Sequence, residues 1–126
     1  MLALADVDPG TFVVGVGADS PTKHELAPDL LRKSRVVVDA RGQAVASGDL
    51  GHAIRSGVMT EADVHAELAD IVTSRVAGRS RDDERWVFDS VGLAVQDHAA
   101  ARMILERADA RADLPSIQLD DSVGPI

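Results

Sequence analysis

Cysteine and tyrosine are both absent from these 126 residues, and aromatic side chains make up only 2% of them. Without thiols there is no disulfide, no thiolate zinc centre and no cysteine nucleophile. A chain free of disulfides suits a reducing cytosol. Positive charge is also scarce: 13 Lys+Arg face 21 Asp+Glu, for a formal net charge of −8. That balance is the opposite of the basic footprint that nucleic-acid phosphates require. Lysine occurs only at Lys23 and Lys33. No apolar run approaches the roughly 18 residues of a membrane span. The opening MLALADVDPG has neither the basic region nor the apolar core of a signal peptide. These absences predict a soluble, cytoplasmic protein with no nucleic-acid or membrane partner.

What is present fits one globular domain, with 45% hydrophobic and 27% charged residues. Residues 11–16 (TFVVGV) are β-branched and aromatic and follow the turn pair Pro9-Gly10. Residues 34–39 (SRVVVD) and 85–89 (RWVFD) repeat that character. The first two runs are continuous rather than alternating, as expected of strands covered on both faces of a parallel sheet. Helical patterns lie between them. Residues 28–33 start with a proline, where a missing N–H costs little. A longer helix is predicted over 60–78, opened by a Thr60/Asp63 capping box and carrying Val64, Leu68, Ile71 and Val72 on one face. A last helix is predicted over 91–108, with an apolar seam of Leu93, Ala100, Ala101, Ile104 and Leu105. Asp97 falls on that seam, which predicts a buried, partnered carboxylate with a structural role. Residues 109–126 are acidic and proline-bearing and read as a loose tail. The alternation is that of an α/β domain, with a sheet that is thin at three strands.

The most informative stretch is Gly15-Val-Gly-Ala-Asp-Ser-Pro-Thr-Lys-His-Glu, directly after the first strand. Gly15-x-Gly17 imitates a dinucleotide turn, but Ser20 and Pro21 stand where helix and strand should pack closely. Asp19 at the carboxyl end of a strand is placed to shuttle a proton, and Lys23 to hold a phosphate or carboxylate. Turn-capping by Asp19 or Ser20, with a solvated Lys23, explains the same residues. Ser90 ends the third strand at the same edge, ahead of Gly92, and an ordinary helix cap is equally consistent there. None of His24, His52, His65 and His98 pairs with another at metal-binding helical spacing, so no metal is expected.

Taken together, three stretches resemble the C-terminal part of the ornithine cyclodeaminase/μ-crystallin family. They are Gly17-Ala-Asp-Ser-Pro-Thr-Lys-His-Glu-Leu, Arg35-Val-Val-Val-Asp and Ser47-Gly-Asp-Leu-Gly-His-Ala-Ile. Glu67-Leu-Ala-Asp-Ile, Gly78-Arg-Ser and Phe88-Asp-Ser-Val-Gly-Leu-Ala-Val-Gln-Asp-His-Ala-Ala-Ala continue the likeness in order. The resemblance implies a partial Rossmann-like, three-layer α/β fold with a short, mainly parallel sheet. Residues 1–108 would be the C-terminal half of an NAD(P)-binding domain. It implies Asp19 as catalytic acid/base, and Val16, Gly17, Ala18, Asp19, Lys23 and Ser90 as cofactor contacts. Val91 is then a substrate contact, with NAD or NADP as cofactor and a small amino acid or imine as substrate. Family chemistry is the NAD-dependent conversion of ornithine to proline with loss of ammonia, or related dehydrogenase and ketimine reductase reactions. Thr22 departs from the family, where glycine is frequent between proline and lysine.

The family's glycine-rich pyrophosphate turn, ribose-binding acid and substrate-binding cations have no counterpart in these residues. Asp39 lies in the other half of such a domain, so NAD and NADP remain undistinguished. The resulting expectation is a truncated family member, inactive by itself. The alternatives are a non-catalytic interaction module, as a homodimer or with a partner chain, or one half of a split enzyme.

Overall fold

The computed structural model describes residues 1–111 and 113–115. They divide into two compact units, Met1–Leu93 and a second that begins at Ala94. In the first, strand β1 (Phe12–Gly15) leads through a long loop to helix α1 (Pro28–Arg32) and strand β2 (Arg35–Val38). Short helix α2 (Arg41–Ala44) and helix α3 (Gly48–Arg55) follow, then strand β3 (Ala66–Glu67), helix α4 (Leu68–Val72) and strand β4 (Trp86–Asp89). Among the described residues the strands form one sheet in the order β1-β4-β2-β3, every pair parallel. The α/β class with a short parallel sheet is therefore as the sequence predicts.

The elements form for local reasons. Pro28 sits in the first turn of α1, and the Ser34 hydroxyl donates to the Leu30 carbonyl at 2.7 Å to close its end. Leu30 and Leu31 are fully buried and pack with Val36 and Val38 of β2, Val87 of β4, and Leu50 and Ala53 of α3. This cluster centres on β2 and β4. On β1, by contrast, Phe12 and Val14 are more than half exposed.

The helix expected over 60–78 is a correction. Asp63 does accept the Thr60 N–H at 2.8 Å, but the turn it starts is a short 3₁₀ helix, Glu61–Asp63. The His65 N–H then donates to the Val36 carbonyl, and Ala66 and Glu67 pair with Val37 and Val38. The open edge of β2 offers backbone hydrogen bonds that outcompete helical propensity. The apolar positions beyond it do not form a buried face: Leu68 and Val72 are exposed. The thinness of a three-stranded sheet is relieved by β3. A second omission is α3, whose glycines obscure its helical pattern.

The second unit carries helix α5 (Ala94–Asp109), none of whose residues is buried. Its expected seam is not buried: Ile104 and Leu105 are exposed, and so is Asp97, whose carboxylate carries no burial cost. The expected structural role for Asp97 therefore lapses. The tail predicted over 109–126 falls outside the described residues at 112 and from 116 onward.

Because Leu31 is fully buried in the cluster, Leu31→Ala should cost about 2–5 kcal/mol in denaturant unfolding. Val14→Ala, at a half-exposed site, should stay within about 1 kcal/mol.

Candidate functional site

Parallel register sets the site. Gly15 lies abreast of Asp89, and Asp89 abreast of Val38. The residues that follow, Val16, Ser90 and Asp39, therefore leave the sheet together at its carboxyl edge, where open α/β sheets hold ligands. The Ser90 N–H donates to the Gly15 carbonyl at 2.9 Å, joining the β1 and β4 exits. Its hydroxyl donates to Asp39 Oδ2 at 2.8 Å, and the Gly92 N–H donates to the same oxygen at 2.9 Å. Asp39 Oδ1 accepts the Ala40 N–H. Asp39 thus shapes the turn that presents Ser90 and the half-buried Val91.

The loop after β1 places the other predicted residues. Val16 and Gly17 are exposed, Ala18 is buried at 1% exposure, and Asp19 and Lys23 project outward. Lys23 Nζ donates to Asp19 Oδ1 at 2.7 Å. Hydrogen bonding to this ammonium, and then its charge, hold the Asp19 carboxyl below the ordinary range, while Asp19 pushes Lys23 up. Asp19 is accordingly a carboxylate at neutral pH. Ala18 lies beneath the loop, facing α3 rather than solvent.

Helix α3 fixes that loop, although its side chains are not among the site residues expected from the sequence. Asp49, fully buried in the first turn, accepts the Glu25 N–H at 2.6 Å and the Leu26 N–H at 2.8 Å. One turn on, His52 stacks on His24 with ring centroids 3.8 Å apart. Arg55 Nη2 donates to the Pro21 carbonyl at 2.5 Å. Gly48 has φ +68°, and a Cβ there would come within 2.7 Å of the Ala18 carbonyl oxygen, so only glycine brings the helix this close. The signal available in the sequence was Asp49, His52 and Arg55 at successive three-residue steps, one helical stripe.

Asp89 adds a buried charge. Its Oδ2 accepts the Leu50 N–H at 2.9 Å, while Oδ1 and Asp49 Oδ2 have no partner. Burial, chiefly, and the nearby Asp49 and Asp39 charges push the Asp89 carboxyl up to about 7, against the opposing Leu50 N–H. Among the described residues no group of three or more histidine or acidic side chains is arranged to hold a metal ion.

A parallel sheet with glycine-bearing and serine-bearing turns at its carboxyl edge defines the Rossmann-like class. Residues 2–112 match the Ornithine cyclodeaminase/mu-crystallin family, and the chain belongs to it. Alanine dehydrogenase of Archaeoglobus fulgidus is 40% identical over 102 residues, 81% of this chain and 32% of that protein. Thermococcus litoralis Delta(1)-pyrroline-2-carboxylate reductase, solved with NADH and L-proline, superposes with a TM-score of 0.84 at 31% identity. That match covers 92% of this chain and 36% of the reductase. An archaeal alanine dehydrogenase dimer with bound NAD gives a TM-score of 0.82 at 36% identity, over 94% of this chain and 37% of that one. The chain spans about a third of the length of the relatives it matches. Among its described residues, no helix is long and apolar enough to cross a membrane.

Asp89 gives stability a definite pH dependence. Between about pH 4 and pH 7 the folded chain binds a proton that the unfolded chain has released, so this group weakens folding as pH rises. Asp89→Asn stays neutral throughout. Its unfolding free energy relative to the parent's should therefore climb from pH 5 to pH 8, by an amount on the order of 1 kcal/mol or more, and its melting temperature should rise with it. A difference independent of pH in that series would reject the buried-charge account.

Proposed function

We propose that residues 1–108 form the latter half of the NAD(P)-binding domain of an enzyme that oxidises or reduces a small amino acid or imine. The observation that carries this reading is the placement of Asp19 and Lys23 beside the exposed Val16–Gly17 turn. That turn stands at the same sheet edge as Ser90 and Val91. The donor set suits part of a dinucleotide. Lys23 is an exposed point charge fitted to a phosphate, Gly17 leaves room that the exposed Glu25 carboxylate now fills, and Ser90 is held in place by Asp39. Ala18 supports the turn from below, and Val91 supplies an apolar surface toward substrate. A nicotinamide cofactor, when bound, supplies the hydride acceptor or donor for the substrate's α-carbon. Asp19 takes and returns the proton, ready as a carboxylate because Lys23 keeps it ionised.

Because the chain spans about a third of its relatives' length, the proposal covers the cofactor-side role of these residues. A second reading, half of a split enzyme or an interaction module, is favoured by one observation. Strand β1 is one edge of the sheet, paired among the described residues with β4 alone, and Phe12 and Val14 on it are exposed. Such an edge accepts a further strand. Co-expression with a first-half chain would test this by recovery of NAD-dependent turnover.

An NADH titration of the 126-residue chain, followed by cofactor emission, tests the primary reading. Saturable binding that Lys23→Ala weakens about tenfold is the expected result, in line with loss of one charged phosphate contact. Binding indifferent to Lys23→Ala would remove that residue from the site, and a folded chain that binds no NADH would remove the cofactor role from this fragment.

A further inference from the structure

The amino end of the same sheet carries a feature that the proposed function does not use. An open cavity of about 700 Å³ lies there, lined by Arg32 and Lys33 at the end of α1, Arg35 at the start of β2, and Arg81 and Arg85 ahead of β4. Five of the chain's 13 Lys+Arg thus converge on one cavity in a protein of net charge −8. Crowding like charges raises the energy of the empty cavity.

Two acids line it as well, and both are committed elsewhere. Glu84 Oε2 accepts Trp86 Nε1–H at 3.2 Å and the Ser80 N–H at 3.2 Å, which leaves Arg35 Nε 3.9 Å from its other oxygen. The Trp86 bond is the largest cause that holds the Glu84 carboxyl below its ordinary range. Asp63 accepts the Thr60 N–H and hydroxyl at 2.8 and 2.9 Å, leaving Arg32 Nη1 at 3.6 Å. Both ion pairs exceed hydrogen-bond length. Arg81 is matched by Asp83, and Arg85 gives its Nε–H to the Val7 carbonyl. Among the described residues, then, the side chains of Arg32, Lys33 and Arg35 make no hydrogen bond, and their donors all edge one cavity.

We propose that this cavity binds a small multivalent oxyanion, with Arg32, Lys33 and Arg35 as the recognising side chains. Guanidinium forks match phosphate and carboxylate oxygens two at a time, and the lysine adds a point charge. The site stands at the opposite end of the strands from Asp19 and Ser90, so it is separate from the cofactor turn and does not depend on that assignment. The structure also supplies a reporter. Trp86, the chain's one tryptophan, bonds Glu84, and Glu84 lines the cavity.

The test titrates the intact chain with pyrophosphate and, in a parallel arm, citrate, at low ionic strength, by calorimetry and by Trp86 emission. Saturable binding is expected, weakened about tenfold or more by the double variant Lys33→Ala/Arg35→Ala and several-fold by added salt. The melting temperature of that variant should equal or slightly exceed the parent's, because both side chains are exposed, make no hydrogen bond and leave fewer like charges crowded at the cavity. Preference for pyrophosphate assigns a phosphate ligand, and preference for citrate a polycarboxylate. No heat and no emission change with either anion, or binding that the double variant leaves intact, overturns the proposal. Adding NADH as a third arm separates the two ends of the sheet: loss on Lys23→Ala reports the carboxyl edge, and loss on Lys33→Ala/Arg35→Ala reports this cavity.

Discussion

Asp49 is a buried carboxylate that holds two backbone N–H groups 23 and 24 residues earlier in the chain, and much of the structure around the site rests on it. Hydrogen bonds to a charged acceptor are worth about 1.5–3 kcal/mol each, and a buried charge stripped of them costs more. The interaction therefore decides where α3 lies against the loop after β1. Gly48 lets the helix approach, while His52 and Arg55 extend the same contact toward His24 and Pro21. Asp19 and Lys23 are exposed and would otherwise sample many positions. Their place at the sheet edge comes from a helix that contributes nothing to the exposed turn itself.

The carboxyl edge concentrates negative charge, and it does so with unequal means. Asp39 has both oxygens satisfied by Ser90, Gly92 and Ala40. Asp49 and Asp89 each keep one oxygen without a partner. Three carboxylates this close cannot all stay charged cheaply in a low-dielectric interior, and burial, with the Asp49 and Asp39 charges, raises Asp89 toward neutrality. The amino end of the strands shows the converse arrangement, with cations gathered and their acids engaged by Thr60 and Trp86. A parallel sheet separates these ends by its strand length, on the order of 13 Å for four residues, so each keeps its own electrostatics.

The strands β1, β2 and β4 were legible because their β-branched runs are unbroken and bounded by turn residues. Asp19, Lys23 and Ser90 were legible as positions at one edge for the same reason. The rest was hidden by competition that no local pattern records. The apolar spacing from Val64 to Val72 is helical, yet the backbone of 65–67 goes to the free edge of β2, a tertiary demand. Asp97 sat on a seam by periodicity, but a seam is buried only where something covers it, and α5 has no buried residue. Asp49 and Asp89 looked like ordinary acids because burial is a property of neighbours distant in sequence. The histidines were read for metal spacing within one helix, whereas His24 and His52 meet across two elements.

The distribution of buried surface shows how the parallel sheet holds together. The core joins β2 and β4 to α1 and α3, with Val36, Val38 and Val87 fully enclosed. Strand β1 contributes one partly buried residue, Val13, to that core, while Phe12 and Val14 face outward. Its register with β4 is nonetheless complete, residue for residue over four pairs. Strand β1 is thus positioned by backbone hydrogen bonds more than by its side chains, and its apolar residues are the surface left over. In a sheet that continued past β1, those residues would lie within it. The exposed face of β1 and the turn that follows it are consequently one problem, since Val16 and Gly17 are carried on the strand whose far side has no partner among the described residues.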